Sequence, residues 1–144
     1  MKVRRQARAL ALQALYEIDS TGHPSERVIQ YLLEDDKKLP PDGIAFTTQL
    51  VNGVLAHCQQ LDAIIQKHAP EWPVEQLAII DRNILRIALY ELQHVPEVPI
   101  KVAVNEAVEL AKMFGSDTTP RFVNGVLGTF LLEHPASKLR SEKK

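Results

Sequence analysis

The chain has 144 residues, of which 45% are hydrophobic and 24% charged, with a formal net charge of −1. A single domain of this length buries roughly 68% of its unfolded surface, enough for a core without staples. The one cysteine, Cys58, excludes an internal disulfide and a cysteine-built zinc cage, and no apolar run reaches the length of a membrane span.

Residues 1–16 hold Lys2, Arg4, Arg5 and Arg8 and no acid, a charge of +4. Ala7, Leu10, Ala11, Ala14, Leu15 and Ile18 follow at helical spacing, and Gly22-His23-Pro24 ends the stripe. Gln13 and Glu17 interrupt the apolar part, so this is an amphipathic helix and not a signal peptide, and a reducing cytoplasm is the expected setting. On a wheel Arg4 and Arg8 nearly superimpose and Arg5 lies about 100° away. The arginines therefore form a ridge beside the buried face, suited to planar two-point contact with phosphate. Lys2 sits at the same end.

A shorter helix follows the cap residue Ser25, with Val28, Leu32 and Leu33 inward. Leu50, Val51, Val54, Leu55, Cys58, Leu61 and Ile65 predict one long third helix, with Cys58 as a small buried hydrophobe. Trp72, between Pro70 and Pro73, is expected on a seam, with a short turn at Val74–Leu77 after it. Ile80, Ile84, Ile87, Ala88 and Leu92 predict the fourth helix, and Ile100 to Phe114 the fifth, capped by Gly115 at C′. There Glu109 is expected in solvent, and Glu106 on a neighbouring helix end. Thr119-Pro120 opens the last helix, with Val123, Val126, Leu127 and Phe130 inward. Arg121-Phe122 places a cation and a stacking surface at that anion-attracting start, although Phe122 fits the core equally well. The polar tail, 135–144, is expected to be mobile. Residues 17–120 carry −8 and residues 121–144 carry +3, so the ends suit an anionic partner and the middle a basic one.

No segment alternates at period two, and the fold class is all-α, with six or seven helices. Ala14-Leu15-Tyr16-Glu17 recurs as Ala88-Leu89-Tyr90-Glu91, and Val51-Asn52-Gly53-Val54-Leu55 recurs as Val123-Asn124-Gly125-Val126-Leu127. The shared offset of about half the chain predicts two related three-helix bundles, about 1–69 and 74–134, packed as one domain. Each Asn-Gly lies inside helical periodicity, where close helix approach is the expected reason for glycine. The five histidines are scattered without metal-ligand spacing, and nucleophile-elbow, phosphate-loop and HExxH motifs are absent. The sequence predicts neither an enzyme nor a metal or cofactor site.

The arginine-rich start with Ala11–Glu17, the run Ile84–Leu92, the run Val98–Lys112 and Phe122–Leu127 together resemble the bacterial transcription antitermination factor family NusB. The resemblance covers nearly the whole chain, most clearly 80–127. It implies an all-helical, non-enzymatic RNA-binding factor. Such a factor binds single-stranded boxA RNA of nascent ribosomal RNA transcripts with the small-subunit ribosomal protein NusE, and helps load an antitermination complex on RNA polymerase. Carried over by position, the RNA contacts are Arg4, Arg5, Arg8, Arg121 and Phe122, with Lys2 added. The contacts to the basic ribosomal protein are Tyr16, Glu75 and Asp81. Pro120 departs from many relatives and stiffens the entry to that RNA surface. The family includes both monomers and self-associating members. Two other readings compete. One is the related RNA-binding module of ribosomal RNA cytosine methyltransferases, for which 144 residues leave no room for a cofactor domain. The other is a purely protein-binding helical scaffold, which leaves the arginines without a role.

Overall fold

The structure is a computed structural model that describes residues 2–35, 39–135 and 139. The side chain of Lys2 and most of the tail lie outside the described residues. Among the described residues seven helices follow in order: α1 Lys2–Thr21, α2 Ser25–Asp35, α3 Pro41–Ala56, α4 Cys58–His68, α5 Ile79–His94, α6 Ile100–Phe114 and α7 Thr119–Glu133, with a 3-10 turn at Val74–Gln76 before α5. No strand occurs among the described residues, and no helix there is long and apolar enough to cross a membrane.

Helices α1, α2 and α3 pack together, and so do α5, α6 and α7, which are the two bundles expected from the repeat. Helix α5 is the hub. It touches α1, α3, α4, α6 and α7, and every residue from Asn83 to Leu92 is buried. A helix buried on all sides belongs in the middle of a core, and its Arg86 and Glu91 are tolerated there because they are paired. Helix α4 precedes the expected boundary near residue 70, yet it packs mainly on α5 and α7.

The single long third helix is two helices. His57 leaves helical geometry (φ −111°, ψ 17°) and divides α3 from α4. Its backbone N–H and its ring Nδ1 both meet the Gly53 carbonyl, at 3.1 and 2.9 Å. A one-residue break hardly changes a spacing of three or four, so the apolar periodicity runs through it. Cys58 accordingly heads α4 and is half-buried. Trp72 does not enter the seam: it is 61% exposed, and Val74 is the buried loop residue instead.

Gly22 closes α1 in the left-handed region (φ +77°), where its N–H reaches the Ile18 carbonyl at 2.8 Å. Gly115 follows α6 in extended geometry (φ −92°, ψ −174°), not the left-handed cap expected there. A Cβ on it would stand 2.5 Å from the Thr119 side chain, which explains the glycine.

The two Asn-Gly copies are not equivalent. A Cβ on Gly53 would lie 2.1 Å from the Tyr90 ring, so α3 and α5 meet there as closely as the repeat argument requires. Gly125 meets nothing within 4 Å. Close packing is therefore the reason for one glycine and not for the other.

Two buried charged networks tie the halves together. Arg8 on α1 forks onto Glu91 on α5 with two bonds of 2.8 Å. Asp19 at the end of α1 accepts from Arg82, Asn83 and Arg86 on α5, and Arg86 also forks onto Asp62 of α4 at 2.7 and 2.8 Å. Burial pushes Asp19 up, but the hydrogen bonds of Arg82 and Asn83 and the charges of Arg86 and Arg82 outweigh it and hold it at about 2.

Candidate nucleic-acid interface

The basic start of α1 does not form one ridge. Arg4 and Arg8 do share a face, and that face turns inward. Arg4 lies over the Phe46 ring of α3 at 4.2 Å and Arg8 lies beside it at 5.3 Å. Arg8 is 4% exposed and spent on Glu91, so its guanidinium is not presented to a ligand. The wheel located the arginines correctly, but the buried face is wider than the apolar stripe because it includes a paired charge.

Arg5 turns the other way and is 46% exposed. Its Nε and Nη2 donate to the two oxygens of Glu106 at 3.0 and 2.7 Å. Glu106 thus meets the start of the neighbouring helix α1, as expected, through the Arg5 side chain, with Arg8 a further 3.7 Å contact. The Arg5 hydrogen bond, opposed by burial and reinforced by the charges of Arg5 and Arg8, holds the Glu106 carboxyl below the usual range.

Arg5 and Glu106 form one wall of an open cleft of roughly 650 Å³. Glu109 and Lys112 continue it along α6, and Pro120, Arg121 and Asn124 close it from α7. Lys112 donates to Glu109 at 3.2 Å, and both remain accessible. Arg121 is exposed. Three cations far apart in sequence, Arg5, Lys112 and Arg121, thus line one cleft with the amide side chains of Asn105 and Asn124. Lys112 and Asn105 were not singled out from the sequence, and Asn124 was noted only as part of the repeated Asn-Gly. Asn105 and Lys112 follow the surface period of α6 and Asn124 that of α7, and only the approach of α1, α6 and α7 gives them a common target.

Phe122 does not stand free over this cleft. It is half-buried and packs against the core, so its stacking face is largely used.

The expected partner residues separate similarly. Tyr16 is 43% exposed and borders an apolar groove with Tyr31, Leu32, Ile80 and Phe114. Glu17 lies on the rim of this groove, where it accepts the Tyr31 hydroxyl and pairs with His23. Glu75 is exposed, and its carbonyl accepts from Arg82. Asp81 is half-buried and accepts from Thr119 Oγ1 at 2.9 Å, which fastens α5 to the start of α7. Burial pushes the Asp81 carboxyl up, against the Thr119 hydrogen bond.

Burial raises the Cys58 thiol, the opposite of an activated nucleophile. The fold is an all-helical one whose surface carries a cleft lined by Arg5, Lys112 and Arg121 with Glu106 and Glu109, and a separate apolar groove.

The model of the NusB family matches residues 5–131. The chain is 46% identical over 144 residues to the transcription antitermination protein NusB of Roseiflexus sp. (strain RS-1), covering 99% of this chain and 97% of that one. It is also 50% identical over 129 residues to NusB of Roseiflexus castenholzii, covering 88% and 90%. Among solved structures, a complex of the antitermination factors NusB and NusE with double-stranded RNA superposes with a TM-score of 0.84 at 26% identity, over 93% of this chain and 99% of that one. The chain belongs to the NusB family, whose members are transcription antitermination proteins and not enzymes.

Proposed function

We propose that the chain is an antitermination factor that holds boxA RNA along the α1–α6–α7 cleft while a NusE-type ribosomal protein docks on the groove beside Tyr16. The observation that carries this reading is the convergence of Arg5, Lys112 and Arg121 on one cleft with Asn105 and Asn124. Cations on opposite walls can straddle a nucleic-acid backbone, and amides can hydrogen-bond sugars or base edges. Arg4, held over the Phe46 ring, adds positive charge at the start of α1. Arg8 acts from below by fixing the angle of α1, and Phe122 by seating the start of α7. The solved NusB–NusE–RNA complex supports the same pairing of partners by family membership.

The partner is basic, so an acidic rim with an apolar centre suits it. Tyr16 and Tyr31 supply the apolar area, and Glu17 and Glu75 supply charge at the edge. Asp81 acts through Thr119, by holding the end of α7 nearest the RNA cleft. The RNA-bound pair then joins the antitermination complex on RNA polymerase in the cytoplasm.

The test is a titration of labelled boxA RNA with the protein alone and with its own organism's NusE-type protein. The reading requires that Arg5→Ala with Arg121→Ala lowers RNA affinity at least tenfold while circular dichroism is unchanged. Undiminished binding by that double variant removes the cleft as the site.

A further inference from the structure

A second polar cluster lies outside the cleft and the groove, where the C-terminal ends of α4 and α7 meet. His68 is the last residue of α4, Glu133 the last of α7, and His134 caps α7. One ligand atom from each of the three lies within 4.8 Å of the others.

The His68 side chain is 2% exposed, and its Nε2 is buried with no hydrogen-bond partner among the described residues. A buried ring nitrogen is seldom left unmatched. Glu133 Oε1 stands 4.0 Å away. That gap is too wide for a hydrogen bond, but two metal–ligand bonds of about 2.0–2.1 Å each span up to roughly 4.1 Å.

Three further features suit a cation. Two helix C-termini converge, and each presents unsatisfied carbonyl groups and the negative end of its dipole. The Phe130 carbonyl stands 3.1 Å from His134 Nδ1, and accepting from it selects the tautomer whose Nε2 lone pair is bare. The Phe130 ring stacks on His134 at 4.5 Å and meets His68 edge-on at 5.9 Å, so one aromatic residue orients both imidazoles. Lys67 donates to the Glu133 carboxylate at 3.0 Å.

We propose that His68, Glu133 and His134 form a binding site for a divalent transition-metal ion, zinc by its two-imidazole, one-carboxylate donor set, which clamps the end of α4 to the end of α7. Water completes a tetrahedral shell. Closing to tetrahedral spacing, roughly 3.4 Å between ligands, moves Glu133 and His134, which sit at an exposed helix end, and leaves buried His68 in place. Lys67 competes for the same carboxylate oxygen and weakens the site.

The test uses the full-length, tag-free, chelator-treated protein. Calorimetric titration with zinc should show one ion per chain, zinc should raise Tm by several degrees, and cobalt should give the visible bands of a four-coordinate complex. Glu133→Gln and His134→Gln, both at the exposed end, should each weaken zinc at least tenfold with unchanged circular dichroism. Lys67→Met should bind more tightly. His57→Gln serves as the control, because His57 and His94 form a separate ring pair with centroids 4.2 Å apart. Absence of one-to-one zinc binding overturns the proposal. So does binding that survives both helix-end variants, or that is lost in His57→Gln alone.

Discussion

Arg8 on α1 and Glu91 on α5 meet across the seam of the two bundles in a two-bond fork, each bond 2.8 Å, with both side chains almost wholly out of water. Removing one partner of such a pair leaves an uncompensated buried charge, at a cost of about 3–5 kcal/mol. Arg8→Ala should therefore lower the urea midpoint steeply. Arg8→Met with Glu91→Leu should recover part of the loss, because the stranded charge is gone. If Arg8→Ala instead keeps wild-type stability and loses only RNA affinity, Arg8 is a contact residue after all.

Arg5 and Arg121 should behave in the opposite way. Each alanine replacement should leave the fold intact, weaken RNA several-fold and flatten the salt dependence. With about four cations on phosphates, log K should fall against log salt with a slope near −3 for single strands, and each lost cation should remove about 0.7 of it. Glu106→Gln should strengthen RNA binding, because Arg5 no longer has a full carboxylate to satisfy. An unchanged slope in both alanine variants would place the RNA elsewhere.

The contrast between Arg5 and Arg8 shows how far the sequence could be read. Helical periodicity located the helices, because each buries an apolar stripe, but it merged α3 and α4 into one and began that helix near Leu50 instead of Pro41. The internal repeat defined the two bundles. It could not show that Arg8 faces inward, since a buried arginine is permitted only by a carboxylate 83 positions away. Nor could it reveal the Asp19–Arg82–Arg86–Asp62 network, although Asn83 and Arg86 on an otherwise apolar helix were a visible demand for partners. Lys112, Asn105 and Asn124 were illegible for the same reason: a cleft between three helices has no local signature. The break at His57 left none either, because it barely shifts the phase of the apolar spacing.

Asp19 gives the fold an acid limb. Its carboxyl titrates at about 2 in the folded chain, below the ordinary 3.8. The folded state therefore binds this proton more weakly than the unfolded state. Its contribution is complete above pH about 4 and is lost as pH falls through 2. Asp19→Asn should be less stable at neutral pH and show a shallower decline of urea midpoint between pH 4 and 2. An equally steep decline in the variant assigns the acid limb to other carboxylates.

The two glycines of the repeat should diverge. Gly53→Ala drives a methyl into the Tyr90 ring and should cost about 1–3 kcal/mol by overpacking. Gly125→Ala has open space and should gain up to about 1 kcal/mol from helix propensity. Gly125→Leu should fold as well. Thermal melts of the three variants decide the matter, and equal losses at both positions would mean that α7 is more closely covered than its surroundings show.

Tyr16→Asp should weaken the NusE-type partner at least tenfold and spare RNA binding by the lone protein. Asp81→Lys should lower stability as well as partner binding, since it breaks the bond to Thr119. Co-purification and RNA titration measured on the same samples separate the two surfaces. Loss of RNA affinity in Tyr16→Asp would mean that the groove and the cleft are exchanged.

The unequal glycines also bear on how a duplicated chain acquires binding surfaces. Duplication supplies every helix face twice, and the union of two copies consumes some faces and strands their twins. Here Tyr90 and Gly53 are consumed: they lock α5 to α3. Their twins, Tyr16 and Gly125, carry the same words in solvent, one beside the apolar groove and the other next to Asn124 on the cationic cleft. The surfaces assigned to protein and RNA are in this sense leftover halves of an internal interface. Packing breaks the symmetry of the repeat, and a partner has only to occupy what the second copy does not cover.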